Sequence, residues 1–367
     1  MLQIETPCHG AVLNHRHGRQ DASGLTVRVA GRAPLGARVK VQGVEAARAG
    51  TAFSAEVRLT APWTTITASL EDTAGAASHQ VRVLWDRHSR PRYRFSIDDN
   101  SFFLRDLVRQ GHRSLFDCDY LAGLRRLHRD YGTRFTVNLF RFTPEKDLDL
   151  ADFPARYRGE WQDNADWLRL AFHAEAEFPD RPYEYASPQK LAADLDCVAA
   201  EIERFAGAEA YAPPTVLHWG MCQPASLRVL RERGVTALSG MFRLGSHDRY
   251  DVNYNLDSRR SEYLSRHDAL VDTDSGIVFS MIDLICNGTP VAETVPILQA
   301  RMADPATAEV MDLFTHEQYF WPFYRNYVPD HFERLETAIR CVTEAGYAPV
   351  FLHEGLLGGT PPDVAGA

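Results

Sequence analysis

Apolar and polar residues alternate in short runs over the first 87 residues of the chain. Gly31, Gly43 and Gly50 are among the turn residues that separate these runs. Alternation with a period of two, interrupted regularly by turns, is typical of strands in a small β-sandwich. The pattern therefore predicts an N-terminal β-sandwich domain over residues 1–87. Its predicted strands are Leu25–Val29, Arg38–Val41, Phe53–Leu59, Thr65–Ala68 and His79–Val83.

The pattern changes after the polar segment Asp86–Pro91, which we interpret as a linker. Apolar strands then alternate with amphipathic helices, an order typical of an α/β domain with a parallel sheet. Strands over about 275 residues in this order predict a (β/α) barrel, complete or distorted, over residues 88–367. The predicted strands are Tyr93–Ile97, Phe135–Phe140, Leu168–Phe172, Thr215–Trp219, Val235–Gly240, Ile277–Ile282, Val310–Thr315 and Pro349–His353, and the predicted helices are Tyr120–Tyr131, Pro188–Phe205, Ala225–Arg233 and His331–Ala345.

Acidic residues and histidines follow several of these strands, at the end where a barrel places its catalytic groups. Asp98 and Asp99 close the first strand, and two adjacent carboxylates repel each other unless one of them binds a cation. His173 leaves the third strand ahead of Glu175 and Glu177. The spacing of His173 and Glu177 puts both on one face if a helical turn follows. Three later strands end in a histidine, namely His218, His316 and His353.

Charge and composition exclude several classes of partner. The chain has 367 residues, and its 40 basic and 49 acidic side chains give a net charge of −9. A mildly acidic chain without a block of Lys and Arg predicts neither a nucleic-acid nor an anionic-membrane partner. No apolar run reaches the roughly 18 residues of a membrane span. The N-terminal residues resemble no signal peptide, which favours a cytoplasmic protein, or a secreted or periplasmic one whose signal has been removed.

Several of these strand ends resemble the motifs of a known family. Residues Ser96–Asp99 read Ser-Ile-Asp-Asp, and the NodB-homology polysaccharide deacetylases carry Thr-Phe-Asp-Asp-Gly at such a strand end. His173 falls at their His-Ser-x-x-His metal motif, Val216–Gly240 is similar to their third motif, and Leu313–His316 is similar to their Leu-x-His motif. The segment Pro7–Asn14 and the strands after it resemble bacterial immunoglobulin-like modules. The resemblance implies an immunoglobulin-like β-sandwich ahead of a deacetylase-type (β/α) barrel.

The resemblance also implies roles for the matched residues. Asp98 would be the general base, and His316 would be the general acid that protonates the leaving amine. Asp99 and His173 would bind one divalent metal ion. The metal would polarise an acetyl carbonyl and lower the pKa of a bound water, and the carboxylate would take the proton of that water. The implied activity is metal-dependent hydrolysis of an N- or O-acetyl group on a glycan.

Three positions depart from the family's motifs. Asn100 replaces the glycine after the Asp pair, Glu177 replaces the second histidine of the metal motif, and His218 aligns with an arginine that orients the base. We expect Glu177 to be the third metal ligand and His218 to be catalytic; alternatively, His218 supplies the missing ligand. A site with two carboxylates and one histidine would hold Mn²⁺, Mg²⁺ or Ca²⁺ as readily as Zn²⁺.

Aromatic residues near the strand ends favour a glycan or oligosaccharide partner, because flat apolar faces suit the C–H faces of pyranose rings. Trp219 follows His218, and Tyr319 and Trp321 follow His316. Packing of the loops onto the barrel is an equally weighted interpretation of each ring. The candidate substrate-binding residues are Glu317, Trp219, Tyr319, Trp321, Glu175, His353 and Glu354.

Two other functions are compatible with these residues. The departures from the family's motifs allow another reaction on the same metal, such as β-elimination or epimerisation of a uronic acid. The chain could also be a carbohydrate-binding protein without catalysis, with the sandwich domain as its recognition module. Asp98, Asp99, His173 and His316 are all present and favour an enzyme, because a non-catalytic relative is expected to have lost at least one of them.

Overall fold

A computed structural model describes residues 1–71 and 77–357 of the chain. Its strands are β1 Gln3–Thr6, β2 Val12–Leu13, β3 Gly18–Asp21, β4 Gly24–Arg32, β5 Val39–Val41, β6 Val44–Glu45, β7 Ala47–Ala49, β8 Ala52–Leu59, β9 Trp63–Leu70, β10 Ser78–Trp85, β11 Arg92–Asn100, β12 Phe135–Phe140, β13 Leu168–Ala174, β14 Ala237–Gly240, β15 Arg243–Leu244, β16 Tyr250–Asp251, β17 Ala269–Val271, β18 Val278–Met281, β19 Leu284–Ile285, β20 Val310–His316 and β21 Ala348–Pro349. Its α-helices are α1 Phe102–Arg109, α2 Asp119–Tyr131, α3 Arg158–Asp163, α4 Pro188–Ala206, α5 Ser226–Glu232, α6 Ser258–Leu264, α7 Val291–Ala303, α8 His331–Glu344 and α9 Leu352–Gly355.

Residues 1–90 and 269–278 belong to one compact unit. One of its sheets has the order β1-β4-β8-β7, with β3 beside β4, and the other has the order β2-β10-β9-β5-β6. The strand pairs are antiparallel apart from the parallel pair of β2 and β10. Val27, Val57 and Ile66 are buried, as the alternation of the sequence predicts. Each of the five predicted strands overlaps an observed one, from β4 to β10.

Residues 91–268 and 279–356 form the second unit. Its main sheet has the order β13-β12-β11-β20-β19, and β21 pairs with the start of β11. Every neighbouring pair in this sheet is parallel. The central strand β11 is buried along nearly its whole length. The carboxyl ends of parallel strands meet at one edge of a sheet, and this edge carries the residues discussed below.

The prediction of a (β/α) barrel is wrong. Within the described residues, the parallel sheet ends at β13 on one side and at β19 on the other, and other strands form small separate sheets. β15 and β16, for example, form an antiparallel pair. The second unit is therefore a mixed α/β structure with more than one sheet. Alternating strand and helix patterns predict the elements, but the pairing of the strands depends on contacts that are distant in the sequence.

Two of the predicted strands are not formed. The segment Thr215–Trp219 follows Pro213 and Pro214, which have no N–H group to donate to a neighbouring strand. It ends in the 3₁₀ turn His218–Gly220. The segment Pro349–His353 is divided between the short strand β21 and the helix α9.

The four predicted helices are observed as α2, α4, α5 and α8, and each end lies within one residue of its predicted position. Their apolar periodicity explains this agreement, because Leu191, Leu195 and Val198 of α4 all point into the protein interior. Within residues 1–71 and 77–357, no helix is both long enough and apolar enough to cross a membrane.

Two carboxylates of the second unit are buried close to each other. Asp268 accepts hydrogen bonds from the backbone N–H groups of Glu309 and Val310 at 2.9 and 3.1 Å, and Asp283 accepts one from Asp312 at 2.9 Å. Burial raises the pKa of Asp268 to about 7. Burial and the negative charge of Asp268 raise the pKa of Asp283 well above its ordinary value. Ionisation of these groups at neutral pH therefore destabilises the fold.

We expect Asp283→Asn to be more stable than the wild type at pH 8, although it gives up the ion pair of Asp283 Oδ1 with Arg301 Nε at 3.5 Å. A carboxyl whose folded-state pKa is raised stabilises the fold at low pH and loses this contribution as the pH rises through the folded pKa. Asparagine keeps an oxygen for the Asp312 N–H and carries no charge to bury. Urea unfolding at pH 5 to 8 should show a difference that grows with pH, and Asp163→Asn is the control at an exposed position. A variant no more stable than wild type at pH 8 contradicts the prediction.

Candidate metal centre

Strand β11 ends in a β-bulge that carries the Asp pair. Its pairing with β12 shifts between Ile97 and Asn100, so that two residues of β11 oppose one residue of β12. Asp99 has a backbone φ of +58°, a left-handed conformation that aspartate adopts more readily than most residues. Bulges next to active sites re-aim side chains. This bulge turns Asp99 toward His173, whereas the carboxylate of Asp98 takes other partners.

A second bulge presents His173. The register of β13 against β12 shifts by one residue at this position, so that His173 has no partner in the ladder. The side chain of His173 is buried. Its Nε2 atom lies 3.1 Å from Oδ1 of Asp99. The irregular ends of two neighbouring parallel strands thus bring an acid and a histidine together.

His218 comes from the 3₁₀ turn that follows the Pro213-Pro214 pair. Its Nε2 atom lies 3.0 Å from the backbone oxygen of Glu177, so this nitrogen donates, and in the neutral imidazole Nδ1 is left as an acceptor. Nδ1 lies 3.2 Å from Nε2 of His173 and 3.2 Å from Oδ1 of Asp99. The carbonyl of Glu177 therefore fixes the tautomer of His218 that suits a metal ligand.

Asp99 Oδ1, His173 Nε2 and His218 Nδ1 form a nearly equilateral triangle with edges of 3.1, 3.2 and 3.2 Å. Ligand atoms about 2.1 Å from one cation lie about 3 to 3.4 Å apart at ordinary coordination angles. Two imidazoles and one carboxylate are also a donor set that catalytic zinc sites use. This group of two buried histidines and one partly buried aspartate could therefore bind a metal ion.

The electrostatics of the triangle suit a cation. Burial by itself would raise the pKa of Asp99, but the charge of His316 and hydrogen bonds with His173 and His218 hold that pKa well below its usual range. Burial would lower the pKa of His218, but the hydrogen bond and charge of Asp99 raise it above its ordinary value. A metal needs an ionised carboxylate and neutral imidazoles. Metal binding would thus replace the proton that Asp99 attracts to Nδ1 of His218.

Asp98 is held by neutral donors beside the triangle. Its Oδ1 atom accepts hydrogen bonds from Ser96 Oγ and Asn138 Nδ2, both at 2.8 Å. Asn138 Nδ2 also lies 2.8 Å from Ser96 Oγ, which closes the network. Among the described residues, Oδ2 of Asp98 has no hydrogen-bond partner. Asp98 lines a cavity, and a carboxylate there could take a proton from a molecule bound in it.

His316 reaches the same site from β20, because Asp98 and His316 are the last paired residues of β11 and β20. Its backbone N–H donates to Oδ1 of Asn287 at 3.0 Å, which orients the Asn287 amide. The same oxygen lies 3.1 Å from Nδ1 of His316, so Nδ1 carries a proton. Nε2 lies 3.8 Å from Oδ2 of Asp99. The ring is therefore held through Nδ1, with Nε2 toward the site.

A cavity of about 590 Å³ joins these groups. Its volume lies within the range of about 300 to 1,000 Å³ that is usual for small-molecule sites. The guanidinium of Arg181 lies 4.9 Å from the centre of the Trp219 ring in its wall. The predicted site residues that line the cavity are Asp98, Asp99, His173, Glu177, His218, Trp219, His316 and Tyr319.

Glu177 lies in the cavity but outside the triangle. Its Oε2 atom accepts a hydrogen bond from Gln318 Nε2 at 2.9 Å. Burial, followed by the charge of Asp99, raises the pKa of Glu177. The helical turn that would align Glu177 with His173 is not formed, because His173 and Ala174 still belong to the extended strand β13 and the residues from Glu175 to Glu177 are irregular. The geometry favours the alternative in which His218 supplies the third ligand.

Five candidate substrate-binding residues do not line this cavity. Glu317 is completely buried and accepts hydrogen bonds from backbone N–H groups and from the Trp321 indole. Glu175 pairs with a lysine of α4 at 3.0 Å. His353 and Glu354 lie on α9, with Nε2 and Oε1 3.4 Å apart. The last two were predicted at the end of a strand, and that strand is not formed.

Sequence reasoning missed the two asparagines that hold the proposed acid and base. Asn138 lies in the middle of β12, in which all six residues are buried. A polar residue inside a buried apolar strand needs a hydrogen-bond partner, and this pattern is a usable signal. Asn287 lies in the 3₁₀ turn Cys286–Gly288, where a polar residue is ordinary. No feature of the sequence distinguishes Asn287.

No family model matches the chain, and no curated protein matches it at a significant level. The class of site is therefore defined by its own geometry. It is a possible metal centre of two histidines and one aspartate, next to a second carboxylate and a third imidazole.

Proposed function

We propose that this protein is a metal-dependent hydrolase that removes an N- or O-acetyl group from a glycan. The observation that carries the proposal is the triangle of Asp99, His173 and His218, which shares one cavity with Asp98 and His316. Hydrolysis of an acyl group by water needs an electrophile, a proton acceptor and a proton donor. In this proposal a metal ion at the triangle is the electrophile, Asp98 is the proton acceptor and His316 is the proton donor. The resemblance of the same residues to the NodB-homology deacetylases supports acetyl as the acyl group and a carbohydrate as its carrier.

The donor set favours a transition metal over Mg²⁺ or Ca²⁺. Imidazole nitrogens suit Zn²⁺, Cu²⁺, Fe²⁺ and Ni²⁺, whereas Mg²⁺ and Ca²⁺ prefer oxygen ligands. Asp99, His173 and His218 offer two nitrogens and one oxygen. Three protein ligands also leave room for water and substrate, as in catalytic zinc sites. We therefore propose Zn²⁺ as the resident ion.

The chemistry divides between the metal and the residues around it. A bound metal ion would polarise the acetyl carbonyl and lower the pKa of the attacking water. Oδ2 of Asp98 takes a proton from that water while the water oxygen bonds to the carbonyl carbon. The bond from this carbon to the sugar nitrogen or oxygen then breaks, and Nε2 of His316 donates a proton to the leaving group. The products are acetate and the deacetylated sugar.

Aromatic side chains of the cavity support a sugar as substrate. Trp219, Tyr319 and Tyr324 line the cavity, and the Tyr319 ring centre lies 5.7 Å from that of His316. A flat ring beside polar groups matches a pyranose, which has apolar C–H faces and polar edges. These rings therefore support the proposal of a sugar substrate whose acetyl group reaches the triangle.

The test is a combined metal and activity measurement on the full chain. We expect elemental analysis to find about one equivalent of transition metal per chain, consistent with one three-ligand site. Acetate release should be detected with N-acetylglucosamine oligomers or an O-acetylated xylan. Chelation should stop the release, and added Zn²⁺ should restore it.

Each other outcome has a definite meaning. Absence of stoichiometric metal, together with unchanged glycan turnover in Asp99→Ala, would exclude a metalloenzyme. An unsaturated product formed from a uronic-acid polymer without release of acetate would indicate β-elimination. Glycan binding without turnover would indicate a carbohydrate-binding protein that lacks catalysis.

A further inference from the structure

Glu317 directly follows His316, and its side chain is completely buried. A buried carboxylate is costly unless its oxygens accept hydrogen bonds. Oε2 of Glu317 accepts from the backbone N–H groups of Ser101 and Phe102 at 2.9 and 3.0 Å. Oε1 accepts from the N–H of Phe103. The carboxylate therefore binds the first N–H groups of α1 from outside the helix.

Helix α1 depends on this external acceptor. Ser101 is its N-cap residue, but within the described part of the chain the Ser101 hydroxyl makes no capping hydrogen bond. The first N–H groups of a helix have no partner within the helix and favour a negative charge nearby. Glu317 supplies the acceptor, although it lies 216 residues from Ser101 in the sequence.

The same connection holds the bulge that carries Asp99. The positive φ of Asp99 is a strained backbone conformation, and such a conformation persists only when its surroundings hold it. On the strand side, Asn100 Nδ2 donates to the backbone oxygen of Ile97 at 2.6 Å. On the helix side, Glu317 holds the N–H of Ser101, two residues after Asp99. The backbone of the bulge is thus fixed at both ends.

Glu317 also extends the contact between two strands beyond their ladder. The pairing of β11 with β20 ends at Asp98 and His316. The next residue after β20 is Glu317, whose side chain contacts the start of α1. Oε1 of Glu317 accepts a further hydrogen bond from Nε1 of Trp321 at 2.8 Å. Trp321 belongs to the loop that carries Tyr319 to the cavity wall. One carboxylate therefore ties the bulge, the end of β20 and this loop together.

From these contacts we infer that Glu317 is a positioning residue that fixes Asp99 relative to His316, so that the triangle of ligand atoms is formed before the metal arrives. The part of this inference that concerns His316 rests on the proposed function. The effect of Glu317 on the position of Asp99 should change metal binding whatever reaction the site performs. A capping role alone would stabilise α1 without any change in the metal site.

The test compares Glu317→Gln with Glu160→Gln in the full chain. Glu160 accepts hydrogen bonds from Ser114 Oγ and the N–H of Leu115 at 2.6 and 3.1 Å, so it also holds a turn, but it does not line the cavity. We expect Glu317→Gln to weaken Zn²⁺ and Co²⁺ binding by about 10 to 100-fold and to change the visible spectrum of bound Co²⁺. Glu160→Gln should lower stability yet leave metal affinity and spectrum unchanged.

Wild-type Co²⁺ affinity and spectrum in Glu317→Gln overturn the inference, whether or not the variant is less stable. If that variant does not fold, Glu317→Asp decides, because it keeps the charge but is one methylene too short to reach all the amides. It should bind Co²⁺ with intermediate affinity, and wild-type affinity overturns the inference. Metal titration needs no substrate. The deacetylase proposal could fail while this inference holds. In that case the wild type would bind metal and the Glu317 variants would bind it more weakly, but the wild type would release no acetate.

Discussion

Asp99→Ala is expected to lose its metal and to release acetate at least about 10³-fold more slowly than the wild type. Asp99 supplies the oxygen of the triangle, and His173 and His218 supply the two nitrogens. It is also the negative charge that offsets the cation in a buried site. Without it, two neutral imidazoles would hold a divalent ion far more weakly. Loss of the metal removes several kcal/mol of stabilisation of the transition state.

The matched control for this variant is Asp106→Ala. Asp106 is also a partly buried aspartate near the end of β11, and its Oδ2 atom lies 3.0 Å from Nε2 of His112. It does not line the metal cavity. Elemental analysis after dialysis, followed by an acetate-release assay, should find metal and activity in Asp106→Ala and neither in Asp99→Ala. Stoichiometric metal in Asp99→Ala would show that the ion binds elsewhere.

Much of the candidate site can be predicted from the sequence, because its residues follow apolar runs. β11, β13 and β20 are buried strands with polar residues at or next to their carboxyl ends, which makes Asp98, Asp99, His173 and His316 conspicuous. His218 is conspicuous for the same reason, although the apolar run before it is not a strand. An apolar run followed by a polar residue thus locates the edge of the core even when the secondary structure is predicted wrongly.

The choice of ligands cannot be predicted in this way, because it depends on register. Asp99 and His173 each lie at a bulge, and a bulge is a property of two paired strands rather than of one local pattern. Glu177 and His218 are both reasonable third ligands in the sequence. The structure distinguishes them through the backbone oxygen of Glu177, which binds one nitrogen of His218 and turns the other toward Asp99.

The predicted barrel is wrong, and the partners of Glu317 are not predicted, for the same reason: contacts that are distant in the sequence cannot be predicted from local patterns. The periodicity of single segments predicts α2, α4, α5 and α8 closely, but the order of strands in a sheet requires knowledge of their partners. Glu317 next to a strand-end histidine suggests a substrate contact. Its actual partners are the N–H groups of α1, at a sequence distance of more than 200 residues. Long-range hydrogen bonds of this kind leave no local signal.

Asp98→Asn is expected to keep its metal and to lower kcat for acetate release by about 10² to 10⁴-fold. Asparagine keeps the oxygen that accepts from Ser96 and Asn138, so the local geometry is retained. Its amide nitrogen cannot take a proton from water, which is the role proposed for Oδ2 of the carboxylate. Because Asp98 is outside the triangle, metal content should stay at the wild-type level. KM should change little, since the cavity wall keeps its shape.

The comparison of Asp98→Asn with Asp99→Ala separates the two carboxylates of one bulge. A general disturbance of the bulge would affect both variants in the same way, whereas the proposed roles predict a metal-containing inactive protein and a metal-free inactive protein. Elemental analysis and steady-state kinetics on the same preparations measure both properties. Loss of metal from Asp98→Asn would indicate that Asp98 is a metal ligand. A wild-type kcat in Asp98→Asn would show that Asp98 has no catalytic role. Asp98 and Asp99 are adjacent, and the proposed roles differ because the bulge directs their carboxylates to different partners. The comparison therefore also tests the backbone geometry at the end of β11.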